Sequence, residues 1–157
     1  MAFRGFYTSA EGDKYLITDF AQNGNLLEYL HKKGEQLEMA AKIDLLVGAA
    51  KGIAYLESQK VLHRDLACRN LLVNKKNDVV VSDFGLSRSG YDYYSSVNVK
   101  VPVKWTAVEI FKGKPFTSRS DVWSFGVVCW EVLESGSPPW IWLSNPEVIE
   151  SVKSKWN

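Results

Sequence analysis

The sequence predicts an α+β fold, mainly helical, with a few short strands near its start and between its helices. Three observations predict it. "KYLITDF" (14–20), near the front, is rich in strand formers. "MAAKIDLLVGAAKGIAYLES" (39–58) and "SDVWSFGVVCWEVLESG" (120–136) have the length and apolar content of helices. Between them, "LLV" and "VVV" flank the polar turn "NKKND", which reads as a hairpin.

Composition bounds the function classes. The 157 residues are 46% hydrophobic, enough for the core of one domain and too much for disorder. A formal net charge of +1 provides no bulk attraction to nucleic acid or to anionic membranes. Two cysteines, Cys68 and Cys129, make no disulfide framework and fit a reduced, cytosolic setting. No apolar run approaches the ~20 residues of a membrane helix. The first residues lack the apolar stretch of a signal peptide. There is no internal repeat, low-complexity tract or flexible linker, so the chain reads as one unit.

Each element has its own signal. "KYLITDF" is a strand, and "AQNGN" connects it to the helix "LLEYLHKK". Asn25 is placed to cap that helix, with Glu28 completing a capping box and Gly34 ending it. In 39–58, Ile43, Leu46, Val47, Ala50, Ile53 and Ala54 form the expected buried stripe. The segment after Asp121 is apolar nearly all round, which predicts burial on several sides. "NPEVIESVKSKW" starts a last helix, with Asn145 as cap and Pro146 first in the helix.

"HRDLACRN" (63–70) puts unusual polar chemistry beside this core. The hairpin that follows turns near Lys76, so facing residues have numbers summing to about 152. That register brings Asn70 near Ser82 and Asp83, with Asp65 in the same loop. Two carboxylates and an amide at one hairpin end suit a hard cation such as magnesium. Magnesium with few protein ligands completes its shell with water and substrate phosphates, which points to phosphoryl transfer. Phe84 and Gly85 follow as an apolar anchor and a backbone hinge.

"HRDLACRN" with "DFGLSR" resembles the catalytic and metal-binding loops of protein kinases, with no gap in the spacing. "VPVKWTAVEIF" and "SRSDVWSFGVVCWEVLESG" resemble the tyrosine kinase branch, as do Ala67 and Arg69 in the catalytic loop. The resemblance covers essentially the whole chain. It implies a protein-kinase-like α+β fold: a mainly helical C-terminal lobe with a short β remnant of the N-terminal lobe. Residues 1–18 would be small-lobe strands, 19–25 the hinge and 26–157 an incomplete large lobe.

The resemblance also implies roles. Asp65 is the catalytic base, Arg69 positions the loop beside the incoming phenol, and Asn70 and Asp83 hold Mg2+. Thr18, Asp19, Ala21, Asn25 and Leu72 line the ATP site, Thr18 as gatekeeper and Leu72 as floor. Pro102 and Trp105 belong to the platform under the substrate tyrosine. His63 packs beneath Phe84 and has no acid–base role. Asp121 holds the catalytic-loop backbone. Phe3 takes a core position in an early strand. "SGYDYYSSVNVK" is the activation segment, with Tyr94 and then Tyr93 as autophosphorylation sites, and Arg64 pairs with the phosphate. Protein substrates with tyrosine acceptors are the implied partners. The implied setting is the cytoplasm, or the cytoplasmic side of a membrane for a receptor parent.

The departures carry expectations too. Val108 stands where the family usually has proline, and Glu109 is expected to lack its usual arginine. No G-x-G-x-x-G occurs, and the one lysine before the hinge, Lys14, is expected in a turn. The chain is therefore expected to begin within the small lobe, and the 157-residue polypeptide to show no detectable turnover by itself. Exposed apolar surface on the segment after Asp121 is expected to make it prone to aggregate. A second class of function remains open on the sequence: a non-catalytic, pseudokinase-like binding or regulatory domain. Retention of Asp65, Asn70 and Asp83 favours the enzyme.

Overall fold

A computed structural model describes residues 3–89 and 101–155. At the front, β1 (Phe3–Thr8) and β2 (Lys14–Thr18) pair antiparallel, with Tyr7 opposite Tyr15 and Thr8 opposite Lys14. Lys14 thus opens a strand, where the sequence suggested a turn. The turn proper closes with Ser9 N–H donating to Asp13 O at 2.8 Å. Gly12 in that turn has φ 92°, a conformation that favours glycine. Apolar side chains of this hairpin are exposed on both faces, Phe6 at 79% and Leu16 at 62% on one and Tyr7 at 57% and Tyr15 at 49% on the other. Phe3 is exposed as well, contrary to the core position expected of it, and packs edge-on against Phe6 at 5.1 Å.

Residues 21–25 turn onto the rest of the molecule. Ala21 is buried, Asn23 N–H donates to Val73 O at 3.0 Å, and Val73 N–H donates back to Gly24 O at 2.9 Å. Helix α1 (Leu26–Lys33) is capped by Asn25 as expected, with Asn25 Oδ1 accepting from Glu28 N–H at 2.9 Å, but without the return bond from the Glu28 side chain that a capping box needs. Leu26, Tyr29 and Leu30 form its buried face. Gly34 does not stop the helix in a left-handed cap. Its φ of −58° carries the chain into a 3-10 turn at Gly34–Gln36. Close approach explains the glycine there, since a Cβ would lie 2.8 Å from Ser135 Cβ.

Helix α2 (Met39–Ser58) has the expected span but a different buried face. Lys42, Leu45 and Ala49 are buried, while Ile43 and Val47 of the expected stripe are exposed. Two glycines decide the rotation. Gly48 and Gly52 let Val79 and Val81 rest on the helix backbone, and a Cβ on Gly52 would meet Val81 Cγ2 at 2.7 Å. An apolar-side-chain count cannot see a face made of backbone. Lys42 is buried, and its ammonium donates to Leu133 O at 2.8 Å and Ser135 Oγ at 3.0 Å.

Two short strand pairs and further helices follow. β3 (Val61–Leu62) pairs with β6 (Arg88–Ser89). β4 (Leu71–Val73) and β5 (Val79–Val81) form the expected hairpin in the expected register, Leu71 opposite Val81 and Val73 opposite Val79. α3 (Val108–Phe111) is one turn, α4 (Ser118–Leu133) runs through the core, and α5 (Asn145–Lys155) ends the described chain. One core cluster joins α1, α2, the β4–β5 hairpin and α4 through Leu30, Leu45, Leu71, Val73, Val128 and Val132. A second gathers Leu62, Ala107, Ile110 and Phe116. Outside these contacts, α4 leaves Val122, Trp130 and Leu133 exposed.

The cap of α5 lies one residue earlier than expected. Ser144 N–H donates to Glu147 Oε2 at 2.7 Å, and its hydroxyl donates to the same atom at 2.6 Å. Val148 N–H donates to Ser144 O, so the first helical bond closes on Ser144 and Asn145 is already inside. Ser144 with Glu147 makes the stronger start signal. The Ser144 hydroxyl, and then its N–H, hold the Glu147 carboxyl below its ordinary value.

Candidate active site

The loop 63–70 is fixed from below by α4. Asp121, buried in the first turn of that helix, accepts from His63 N–H at 2.7 Å (Oδ2) and from Arg64 N–H at 2.9 Å (Oδ1). These bonds hold Arg64 at φ 70°, a left-handed conformation uncommon for a residue with a side chain. Burial pushes the Asp121 carboxyl above its usual range, against the pull of the two N–H donors. The sequence-based role of Asp121 as holder of the loop backbone therefore has its geometry. The Arg64 guanidinium lies over the Phe116 ring at 4.6 Å. His63 packs as expected, its ring 5.4 Å from that of Phe84 and Nε2 2.9 Å from Ser82 O.

At the loop's open end, Asp65, Arg69 and Asn70 come together. Arg69 Nη2 meets Asp65 Oδ1 at 2.5 Å in a partly buried ion pair. Asn70 Nδ2 donates to Asp65 O at 2.6 Å, which commits the amide nitrogen and leaves Asn70 Oδ1 as a ligand oxygen. The 3-10 turn Cys68–Asn70 produces this grouping by returning the chain into β4. Across the hairpin mouth, Ser82 donates to Asn70 O through both N–H (3.0 Å) and Oγ (2.9 Å). Asp83 comes next, exposed and at φ 59°, with Oδ1 accepting from Gly85 N–H at 3.3 Å. An amide oxygen and a carboxylate are hard donors of the kind magnesium takes, so the residues present fit that ion.

The expected platform adjoins this cluster. Pro102 leads into a 3-10 turn, Val103–Trp105, and its carbonyl accepts from Trp105 N–H at 2.9 Å. The Trp105 ring lies against the Arg69 guanidinium, 4.8 Å from centroid to Cζ. Its indole N–H donates to Glu131 Oε2 at 2.9 Å, and Ser124 Oγ donates to its carbonyl at 2.8 Å. Glu131 also accepts from Cys68 N–H at 3.0 Å. Sequence reasoning missed Glu131. The available signal was an acid ten residues after Asp121, in the last turn of the helix and directly after the apolar run Phe125–Trp130. Cys68 gains a structural account from this, as the donor of that N–H. Its thiol is pushed up by burial first and by Glu131 second.

The remaining expected residues are spread more widely. Thr18 ends β2, exposed, and donates through its hydroxyl to Asp19 O. Asp19 pairs with Arg4 at 2.6 Å. Asn25 bridges antiparallel to Leu72, so these two expected ATP-site residues are neighbours, although Asn25 Oδ1 is engaged in capping α1. Glu109 Oε1 accepts from Ser120 Oγ at 2.8 Å at the start of α4. Tyr93 and Tyr94 lie outside the described residues. No helix among the described residues is long and apolar enough to cross a membrane.

Comparison with known proteins follows the same line. The family model described as protein tyrosine and serine/threonine kinase matches residues 1–157. Cytoplasmic tyrosine-protein kinase BMX of Mus musculus is 44% identical over 140 residues, covering 88% of this chain and 22% of the relative. Tyrosine-protein kinase TXK of Mus musculus is 44% identical over 140 residues, with 88% of this chain and 27% of the relative covered. Ephrin type-A receptor 1 of Homo sapiens is 43% identical over 141 residues, 88% of this chain and 14% of the relative. The chain thus spans about a quarter or less of the curated relatives it matches here. All three carry the names of tyrosine kinases or receptors, which does not favour the non-catalytic alternative.

Proposed function

We infer, from the premise that this chain belongs to the protein tyrosine and serine/threonine kinase family, that its loop end carries the acceptor side of phosphoryl transfer from ATP to a protein tyrosine. The observation that carries this reading is the convergence of Arg69 and Asn70 on Asp65, Arg69 on its carboxylate at 2.5 Å and Asn70 on its backbone carbonyl at 2.6 Å. Arg69 engages Asp65 Oδ1, which leaves Oδ2 to accept the phenol proton. As the phenol oxygen bonds to the γ-phosphorus, the bond from phosphorus to the bridging oxygen breaks, and the electron pair leaves with ADP. Asn70 Oδ1 and Asp83 would hold magnesium, which neutralises charge on the transferring phosphates. Trp105 and Pro102 set the depth at which a tyrosine, longer than serine, reaches Asp65.

The nucleotide side of the reading rests on Thr18, Asp19, Ala21, Asn25 and Leu72, with 1–18 as small-lobe strands, 19–25 as hinge and 26–157 as large lobe. Tyr94, and second Tyr93, are the sites we assign to autophosphorylation, with Arg64 as phosphate partner. The chemistry is assigned to the cytoplasm or the cytoplasmic face of a membrane, where the free thiols of Cys68 and Cys129 stay reduced.

The test is Asp65→Asn in the protein that carries this sequence, assayed with ATP and a tyrosine peptide. We expect kcat to fall by about a thousandfold, the middle of the range for loss of a general base, with peptide binding retained. Undiminished transfer by D65N would sink the reading.

A further inference from the structure

We propose that Glu131 is a positioning residue that sets the separation between the tyrosine platform and the catalytic loop; this rests on the kinase reading above. Glu131 is 1% exposed, inside a helix whose neighbouring residues are valine, cysteine, tryptophan and leucine. One of its oxygens, Oε2, accepts two N–H groups from segments far apart in sequence: Cys68 N–H of the catalytic loop and Trp105 Nε1–H of the platform. Both donors are therefore held within two hydrogen-bond lengths of each other by a single atom.

Both routes from that atom lead to Arg69. Cys68 is its chain neighbour, so the Cys68 bond fixes where the Arg69 backbone starts. The Trp105 ring lies against its guanidinium at 4.8 Å, so the indole bond fixes the surface on which the side chain rests. Arg69 in turn meets Asp65 at 2.5 Å. Asp121, Ser124, Val128 and Glu131 recur at helical spacing on one buried face of α4. From that face Asp121 holds the loop's start, Glu131 its middle, and Ser124 with Glu131 the platform. One rigid helix thus measures the gap in which a peptide tyrosine must fit. A residue that only filled space would not need to accept from both sides of that gap.

The experiment compares Glu131→Leu, Glu131→Gln and Trp105→Phe with Asp65→Asn in the protein that carries this sequence. Steady-state kinetics are measured separately for a tyrosine peptide and for ATP. E131L should lower kcat/KM for the peptide by about thirtyfold while the KM for ATP stays within about twofold, since small misplacements of reacting groups cost rates of this order. E131Q should stay within about threefold of the parent, because its amide oxygen can accept both N–H groups. W105F keeps an aromatic ring at this position and loses the indole donor, and should lower peptide kcat/KM by about fivefold. It also carries the test if E131L does not fold. Peptide kinetics of W105F within twofold of the parent, or E131Q as poor as E131L, would overturn the role of Glu131. If D65N itself leaves transfer intact, the kinase reading fails instead, and the two failures are told apart.

Discussion

The front hairpin and the loop 63–70 invert the usual rule about what lies inside. β1 and β2 are rich in Phe, Tyr, Leu and Ile, yet their side chains are exposed. The loop 63–70 is rich in charge, yet His63, Arg64 and Asn70 are buried, as are Asp121 and Glu131 beneath them. The difference lies in partners. The backbone N–H groups of His63, Arg64 and Cys68 each meet a carboxyl oxygen of α4, so burying these three costs no lost hydrogen bond. The hairpin has its own ladder, two ring pairs and the Arg4–Asp19 ion pair. Apolar composition supplies a motive for burial, and long-range contacts decide where burial happens.

That contrast can be broken at its strongest point first. Asp121→Ala removes the acceptor of two buried N–H groups, and we expect a loss of about 3 kcal/mol in urea unfolding, each orphaned donor costing about 1–3 kcal/mol. A loss under about 1 kcal/mol would mean the loop is not held from below as described. Next comes Gly34→Ala. Its Cβ would lie 2.8 Å from Ser135 Cβ and 3.0 Å from Ser135 Cα, atoms that cannot rotate away. Overpacking there should cost about 1.5 kcal/mol even after the better helix propensity of alanine. A stabilised G34A would show that the contact yields. The smallest effect belongs to the hairpin. Phe6→Thr with Leu16→Thr keeps strand propensity and removes exposed apolar area. Unfolding free energy should move by less than about 0.5 kcal/mol, while binding of a hydrophobic dye falls. A large loss of stability would show that these side chains already have a partner.

Much of this was legible in the sequence where spacing alone decides the answer. The five-residue turn dictates the hairpin register, and with it the approach of Ser82 to Asn70. Asn25 and Glu28 mark the start of α1 because a cap needs only local geometry. The kinase-like motif placed Asp121 under the loop and His63 against Phe84. What escaped was structure made by backbone approach or by long-range pairing. The buried face of α2 is defined by Gly48 and Gly52, which carry no apolar signal. Phe3 has the composition of a core residue and lies at 58% exposure. Glu131 resembles a surface acid until Cys68 and Trp105 are brought to it by the fold. Ser144 and Asn145 are both good caps, and only the Glu147 contact separates them.

The two glycines of α2 also have a mechanical meaning. Val79 and Val81 sit on the helix backbone with no layer of side chains between that could act as a bearing. A shift of α2 would therefore press directly on Val81, whose chain neighbour Ser82 is joined to Asn70.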